Sequence, residues 1–282
     1  MREQANANKA KNARPNVSFL PREHGATAML LTPIISVAIL AREWRWSELA
    51  TLAAAFAALA AKDPMVVLAR QRFVWKQSHS ETAAAARWFA GWVACLILSG
   101  LVLLISWPLK AIILMGLGVG VFSALAIAVN VKNHQRSTLF QIASAVALTS
   151  SSLATCLSAT GAIAPWCWWL WSLMAMQATA GILVVHARLD ARIAARGTAI
   201  ANNQFRRAAQ VSLGVLFCAA VIAALLRRGW IAFALLGAVM GYMYDLRGQR
   251  DTDALQIPLK TVGQRALALS SLFSGLLILG FW

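Results

Sequence analysis

The chain has 282 residues, 60% of them apolar and 13% charged, with a mean hydropathy of +0.64. Soluble domains carry about 25% charged residues, so a water-soluble globule is excluded. Lys+Arg of 26 against Asp+Glu of 10 gives a net charge of +16. The basic residues lie between apolar runs, where they set membrane topology, so the expected partner is a lipid bilayer and no nucleic acid.

In chain order, residues 1–22 form a polar, basic tail expected to be disordered, and 23–282 are expected to form one all-α membrane domain. Nine apolar stretches follow, near 24–41, 47–69, 88–107, 111–129, 138–158, 166–186, 208–226, 229–244 and 261–282. Each is long enough, or nearly so, to cross a hydrocarbon layer of about 30 Å. No cleavage site follows the first, which is read as a retained anchor. With nine crossings, 21 basic residues fall on the side of the N-terminus and 5 (Arg42, Arg45, Lys110, Arg227 and Arg228) on the other. The positive-inside rule then places the N-terminus in the cytosol and Trp282 outside. Trp44, Trp46, Trp107, Trp166, Trp168, Trp169, Trp171, Trp230 and Trp282 fall at the outer boundary, as an interfacial aromatic belt would. The connections on the cytosolic side, at 70–87, 187–207 and 245–260, are the long ones, so binding or chemistry is expected there.

Span two carries polar residues at membrane depth. Leu49 to Ala61 is too short to cross, so the helix must reach Ala69 and submerge Lys62, Asp63 and Pro64. Charges at that depth need partners or a wet cavity. Because adjacent helical residues point about 100° apart, Lys62 and Asp63 are not expected to pair with each other. A competing reading makes Asp63 the N-cap and Pro64 the first residue of a fresh helix through Arg70.

Span five carries Gln141, Ser144, Ser151 and Ser152, read as interhelical hydrogen-bonding groups. At the end of span six, His186 and Asp190 share one helix face, and Arg188, Arg192 and Arg196 form a row nearly opposite. The arginine row is expected to snorkel to headgroups, as is Arg265 in span nine. Gly116/Gly120 and Gly237/Gly241 are GxxxG pairs, read as helix-packing devices. Cys95, Cys156, Cys167 and Cys218 lack CxxC spacing and fit neither a disulfide framework nor a zinc site. His24, His79, His134 and His186 show no short metal-ligand spacing, so no metal and no cofactor is expected.

The run Pro21-Arg22-Glu23-His24-Gly25-Ala26, with Ala28-Met29-Leu30-Leu31 and Pro33, resembles the opening signature of the YwiC-like family of bacterial integral membrane proteins. Pro64 and Arg70 are compatible with it. This resemblance implies a multi-pass protein of the bacterial inner membrane whose molecular activity is unsettled. More distantly, helix number, orientation and the enlarged loops after spans two and six resemble the UbiA prenyltransferase superfamily. That likeness implies a UbiA-like nine-helix arrangement around a cytosol-facing cavity. Its motifs carry several aspartates each, whereas the matching segments here contain Asp63 alone and Asp190 alone. Magnesium-diphosphate chemistry needs more carboxylates than that.

The expectation is a protein that binds an amphiphilic or anionic small molecule, such as an isoprenoid or another lipid, in a cytosol-facing pocket. Its candidate ligand-binding residues are Arg22, Glu23, His24, Asp63, Arg70, His186, Arg188 and Asp190. Arginines would hold the anionic head and apolar helices the tail. Three alternatives stand beside it: a UbiA-like prenyltransferase drawing on Asp245, Asp251 and Asp253, a small-molecule transporter with breaks at Pro33 and Pro64, and a membrane assembly subunit. Composition and spacing do not decide whether the protein is an enzyme.

Overall fold

Sequences this apolar must satisfy every backbone N–H and C=O internally, which leaves helices as the natural solution. The computed structural model describes residues 24–77, 79–131, 137–196 and 203–282, and among these it contains helices and no strand. The helices are α1 (His24–Ala41), α2 (Trp46–Arg70), α3 (Thr82–Ser106), α4 (Leu109–Val131), α5 (Thr138–Thr149), α6 (Ser151–Thr160), α7 (Pro165–Ala195), α8 (Gln204–Leu225), α9 (Gly229–Gly248), the short α10 (Thr252–Gln256) and α11 (Leu259–Phe281). Eight helical segments are long and apolar enough to cross a membrane, α5 and α6 together making one of them, and α1 is a shorter apolar helix. The fold is an all-α, multi-pass membrane fold.

Span two is continuous. Helix α2 runs through Pro64 without a restart and passes into a π-helical turn at Gln71–Trp75. Asp63 is therefore not the N-cap of a new helix. At 1.5 Å per residue, Lys62 lies about 24 Å along the axis from Trp46, near the far edge of a hydrocarbon layer about 30 Å thick. Lys62 Nζ stands 4.0 Å from Asp63 Oδ1, with the side chains 29% and 43% exposed. The two neighbours do meet, contrary to the expectation from their 100° offset, because a long flexible lysine can bend back along the helix surface.

Span five bends at Ser150, between α5 and α6. Side-chain hydroxyls compete there with the backbone ladder. Thr149 Oγ1 donates to Ala145 O (2.9 Å), Ser150 Oγ to Ala147 O (2.7 Å) and Ser152 Oγ to Thr149 O (2.9 Å). Such back-bonding bends helices. Of the four groups read as interhelical, Ser151 does cross, donating to Leu30 O in α1 (3.0 Å), and Gln141 meets His186. Ser144 bonds within α5, and Ser152 bonds back across the bend to Thr149 of the same span.

Packing centres on α7. Its Leu170, Met174 and Val184 join Leu213 and Leu216 of α8, Leu235 and Ala238 of α9, Phe273 and Leu277 of α11 and Val37 of α1 in one buried cluster. Ala50, Leu103, Ala154 and Leu157 form a second cluster with Trp107, where α2, α3 and α6 meet. Helix α4 touches the second cluster through Ala111, Ile112 and Met115 but buries little, 6% of its apolar window against 50% for α7. The glycines follow this division. A Cβ on Gly241 would come within 2.9 Å of Leu269 Cδ2, whereas Gly116, Gly120 and Gly237 have nothing within 4 Å. The GxxxG reading therefore holds within the described residues for Gly241 and fails for the other three. Gly280, which carries no such motif, makes the tightest approach, 2.5 Å to Ile231 Cγ1 and 3.1 Å to its backbone nitrogen.

The turn from α6 to α7 carries a disulfide, Cys156–Cys167, which corrects the reading of the cysteines. The two are eleven residues apart in sequence, but the reversal at Gly161 (φ +76°) folds the start of α7 back beside the end of α6. Nearby, Ser158 gathers three helices. Its carbonyl accepts from Ser47 Oγ (2.9 Å), and its hydroxyl meets Thr51 Oγ1 (2.5 Å) and Trp107 Nε1 (2.9 Å). Trp107 is 7% exposed and so departs from the expected belt, while Trp44, Trp46, Trp169, Trp230 and Trp282 stand at the surface.

The close approach at Gly280 sets a stability test. Gly280→Ala should lower stability in detergent by about 1–3 kcal/mol through overpacking, and Gly116→Ala should leave it unchanged or raise it slightly through helix propensity. Thermal unfolding of the two variants checks both.

Candidate functional site

Helix α7 has 31 residues, about 46 Å at 1.5 Å per residue and well beyond the roughly 30 Å of hydrocarbon. It runs nine residues past the end expected at His186, so its charged last turns stand on a rigid helix rather than in a loop. Successive residues there face different neighbours. His186 Nε2 meets Gln141 Oε1 at 2.9 Å, its Nδ1 lies 3.4 Å from Thr138 Oγ1, and its ring stands 5.2 Å from that of Phe205. The histidine thus ties α7 to α5 and α8.

Two of the three arginines in the row, Arg188 and Arg192, turn to the protein instead of to headgroups, while Arg196 is exposed. Arg188 Nη2 donates to Ala254 O, while Arg192 Nε and Nη2 donate to Leu255 O (2.5 Å) and Ile257 O (2.6 Å). These carbonyls sit at the C-terminal end of α10, where a helix leaves acceptors unpaired and a cation is favoured. Two arginines thereby clamp the loop between α9 and α11 against α7. Gln249, at the start of that loop, adds a buried bond from Nε2 to Val184 O (3.1 Å).

Arg188 is 4% exposed, an unusual place for a guanidinium. Asp245 of α9 and Arg265 of α11 both interact with it electrostatically, as does Arg192. With two further guanidiniums and one carboxylate in electrostatic range of Arg188, the group is net cationic. Arg188 Nε and Asp190 Oδ2 are buried and have no hydrogen-bond partner among the described residues. Fully buried polar atoms without partners are uncommon and costly.

The other predicted residues lie on α1 and α2. Arg70 Nη2 donates to Asn130 O at the end of α4 (2.9 Å), and Asp63 meets Lys62. Arg22 and Glu23 fall outside the described residues, and His24 begins α1. Besides His24 on α1, the described candidates therefore fall into two groups, one on α2 and one on α7. Arg265, assigned to snorkelling, and Asp245, considered for a transferase, act electrostatically on Arg188 from two other helices, a link that sequence spacing could not convey. Gln177 was missed altogether. Its Nε2 donates to Tyr242 Oη (2.7 Å) and Ser270 Oγ (2.9 Å), a polar knot across α7, α9 and α11 below the charged turns. A lone glutamine and tyrosine in apolar runs were the available signal. Glu48, 2% exposed, also escaped notice; neither carboxylate oxygen has a hydrogen-bond partner among the described residues.

The signature at the start of span one now has a counterpart among known families. The family model described as YwiC-like protein matches residues 20–156. The match, 137 of 282 residues, shows what just under half of the chain is similar to. It covers α1 to α5 and most of α6, including Arg22, His24, Asp63 and Arg70, while the α7 group lies beyond it. No curated protein and no solved structure matches the chain.

The clamp on α10 can be tested directly. Arg192→Ala removes two charge-assisted hydrogen bonds, each worth about 1.5–3 kcal/mol. Amide hydrogen exchange over residues 252–258 should accelerate by at least tenfold, with the core of α7 unaffected.

Proposed function

We propose that this YwiC-like membrane protein binds an anionic amphiphile at the end of the bundle formed by the last turns of α7, α9 and α11, and that this end faces the cytosol. The observation that carries the reading is the buried Arg188, with the partly exposed Arg192 and the exposed Arg265 in electrostatic range of it and one carboxylate, Asp245, between the helices. A guanidinium has five N–H donors. Arg188 engages one carbonyl through Nη2 and has an unbonded Nε, so it retains donors for an anionic head. His186 would offer a neutral donor or acceptor there and Asp190 would orient the arginines, while Arg70 and Asp63 belong to the separate α2 group. The apolar helices below would take the tail. An isoprenoid with a phosphate or diphosphate head has this chemistry.

The residues speak for binding rather than magnesium-dependent transfer. Asp245, which a transferase would need for metal, already faces Arg188 and Arg265.

The cytosolic placement has two supports. The nine-crossing reading of the sequence assigns 21 of the 26 basic residues to this side, and the Cys156–Cys167 disulfide lies at the other end of α7, as expected where the compartment is oxidising.

A thermal-shift titration with a prenyl diphosphate, set against the prenyl alcohol of equal chain length, tests the function. At a hundredfold excess over Kd, the diphosphate should stabilise the protein by about 2.7 kcal/mol, and the alcohol should do much less. Arg265→Gln should weaken the diphosphate effect by roughly tenfold in Kd, about 1.4 kcal/mol. Equal stabilisation by the two compounds, or an unchanged effect in the variant, would remove the arginine group from the binding site.

A further inference from the structure

A cavity of about 1020 Å³ opens at the opposite end of the molecule, where α1, α7, α8, α9 and α11 terminate or begin. Its walls are mostly apolar side chains, with Trp166, Trp169 and Trp282 among them, and Arg42, Arg228 and Ser172 supply the polar groups. Arg42 stands with Cζ 4.3 Å above the Trp282 ring. Stacking of this kind holds a guanidinium plane by its face and leaves its N–H edge available for bidentate contact with an oxyanion. Among the described residues neither Arg42 nor Arg228 donates a side-chain hydrogen bond or meets a carboxylate; the nearby Glu43 pairs with Arg45 instead, at 3.2 Å. Arg42 also adopts a left-handed backbone (φ +60°) at the end of α1, a conformation that costs a non-glycine residue roughly 1–3 kcal/mol.

The size of the cavity and the position of its charges limit what fits. Ligand pockets run from about 300 to 1,000 Å³, and a water takes about 30 Å³. A free phosphate would occupy a small part of this space and leave apolar walls unfilled. A neutral hydrocarbon would fill the walls and leave two guanidiniums unmatched. We infer that the cavity is a binding site for one anionic phospholipid, its phosphate held by Arg42 and Arg228 and its acyl chain lying along α7 and α8 between the tryptophans. The site is distinct from the α7 arginine group: the two lie at opposite ends of α7, near Trp166 and near Arg188.

Native mass spectrometry of the full chain in mild detergent tests this, with phosphatidylglycerol, phosphatidylcholine and inorganic phosphate added separately. Phosphatidylglycerol should be retained at one per chain, at least tenfold more tightly than phosphatidylcholine, and inorganic phosphate at millimolar concentration should not displace it. In the double variant Arg42→Gln/Arg228→Gln the preference should fall to about twofold or less, while Arg265→Gln keeps it. Phosphatidylglycerol brominated along its acyl chain should quench tryptophan fluorescence in the wild type, and less in the double variant at equal lipid. Equal retention of the two lipids, displacement by phosphate alone, or an unaltered preference in the double variant would each overturn the assignment.

Discussion

Gln177 carries an amide that hydrocarbon cannot satisfy, and its position dictates much of the rest. Leaving such a group unpaired in an apolar medium costs several kcal/mol. Its Nε2 is bonded to Tyr242 and Ser270, and Tyr242 Oη returns a bond to Gln177 O at 3.3 Å. The geometry needs α9 close to α7, and Gly181 provides the room, since a Cβ there would fall 2.8 Å from the Tyr242 hydroxyl. With α7, α9 and α11 joined at this point, whatever these helices carry at their ends is presented in a fixed register. At one end that is the arginine group around Asp245; at the other it is the cavity beside Trp282.

Both ends use arginine, in different ways. Arg188 and Arg192 are engaged with backbone carbonyls of α10 and are structural as well as cationic. A buried guanidinium tolerates its position when hydrogen bonds and an opposite charge compensate the lost water. Arg42 and Arg228 have no such internal partners among the described residues, and one of them is held by an aromatic face. The first pair builds the scaffold around a proposed site, and the second awaits a partner from the bilayer.

The helical spans could be read from the sequence because burial in lipid leaves an unbroken apolar run. The reading of nine alternating crossings makes a demand on which helix ends meet. Arg42 meets Trp282, and Arg188 meets Ala254, as an odd number of crossings requires. What sequence spacing could not convey was distance across the bundle. Cys156 and Cys167 become partners through a turn at Gly161, Arg188 finds Asp245 and Arg265 on two other helices, and Trp107 turns inward to Ser158 instead of outward to the interface. Pro64 misled for a local reason: its preference for a helix start is real, yet the packed helix on either side carries the chain through it. For the candidate site, residue type was legible at His186, Arg188 and Asp190, and the assignment of each to a neighbour was not.

The account rests on two polar ends facing opposite sides of the membrane, with the disulfide outside and α10 inside. Thiol labelling in intact cells addresses that most directly, in a Cys95→Ala/Cys218→Ala background with an impermeant maleimide. Cys156 and Cys167 should label after an impermeant reductant is added outside. With the native pair also replaced by alanine, a cysteine introduced as Gln256→Cys should label only after the cells are permeabilised. Labelling of Gln256→Cys in intact cells, with Cys156 and Cys167 inaccessible until permeabilisation, would invert the molecule and move the proposed cytosolic site to the outer face.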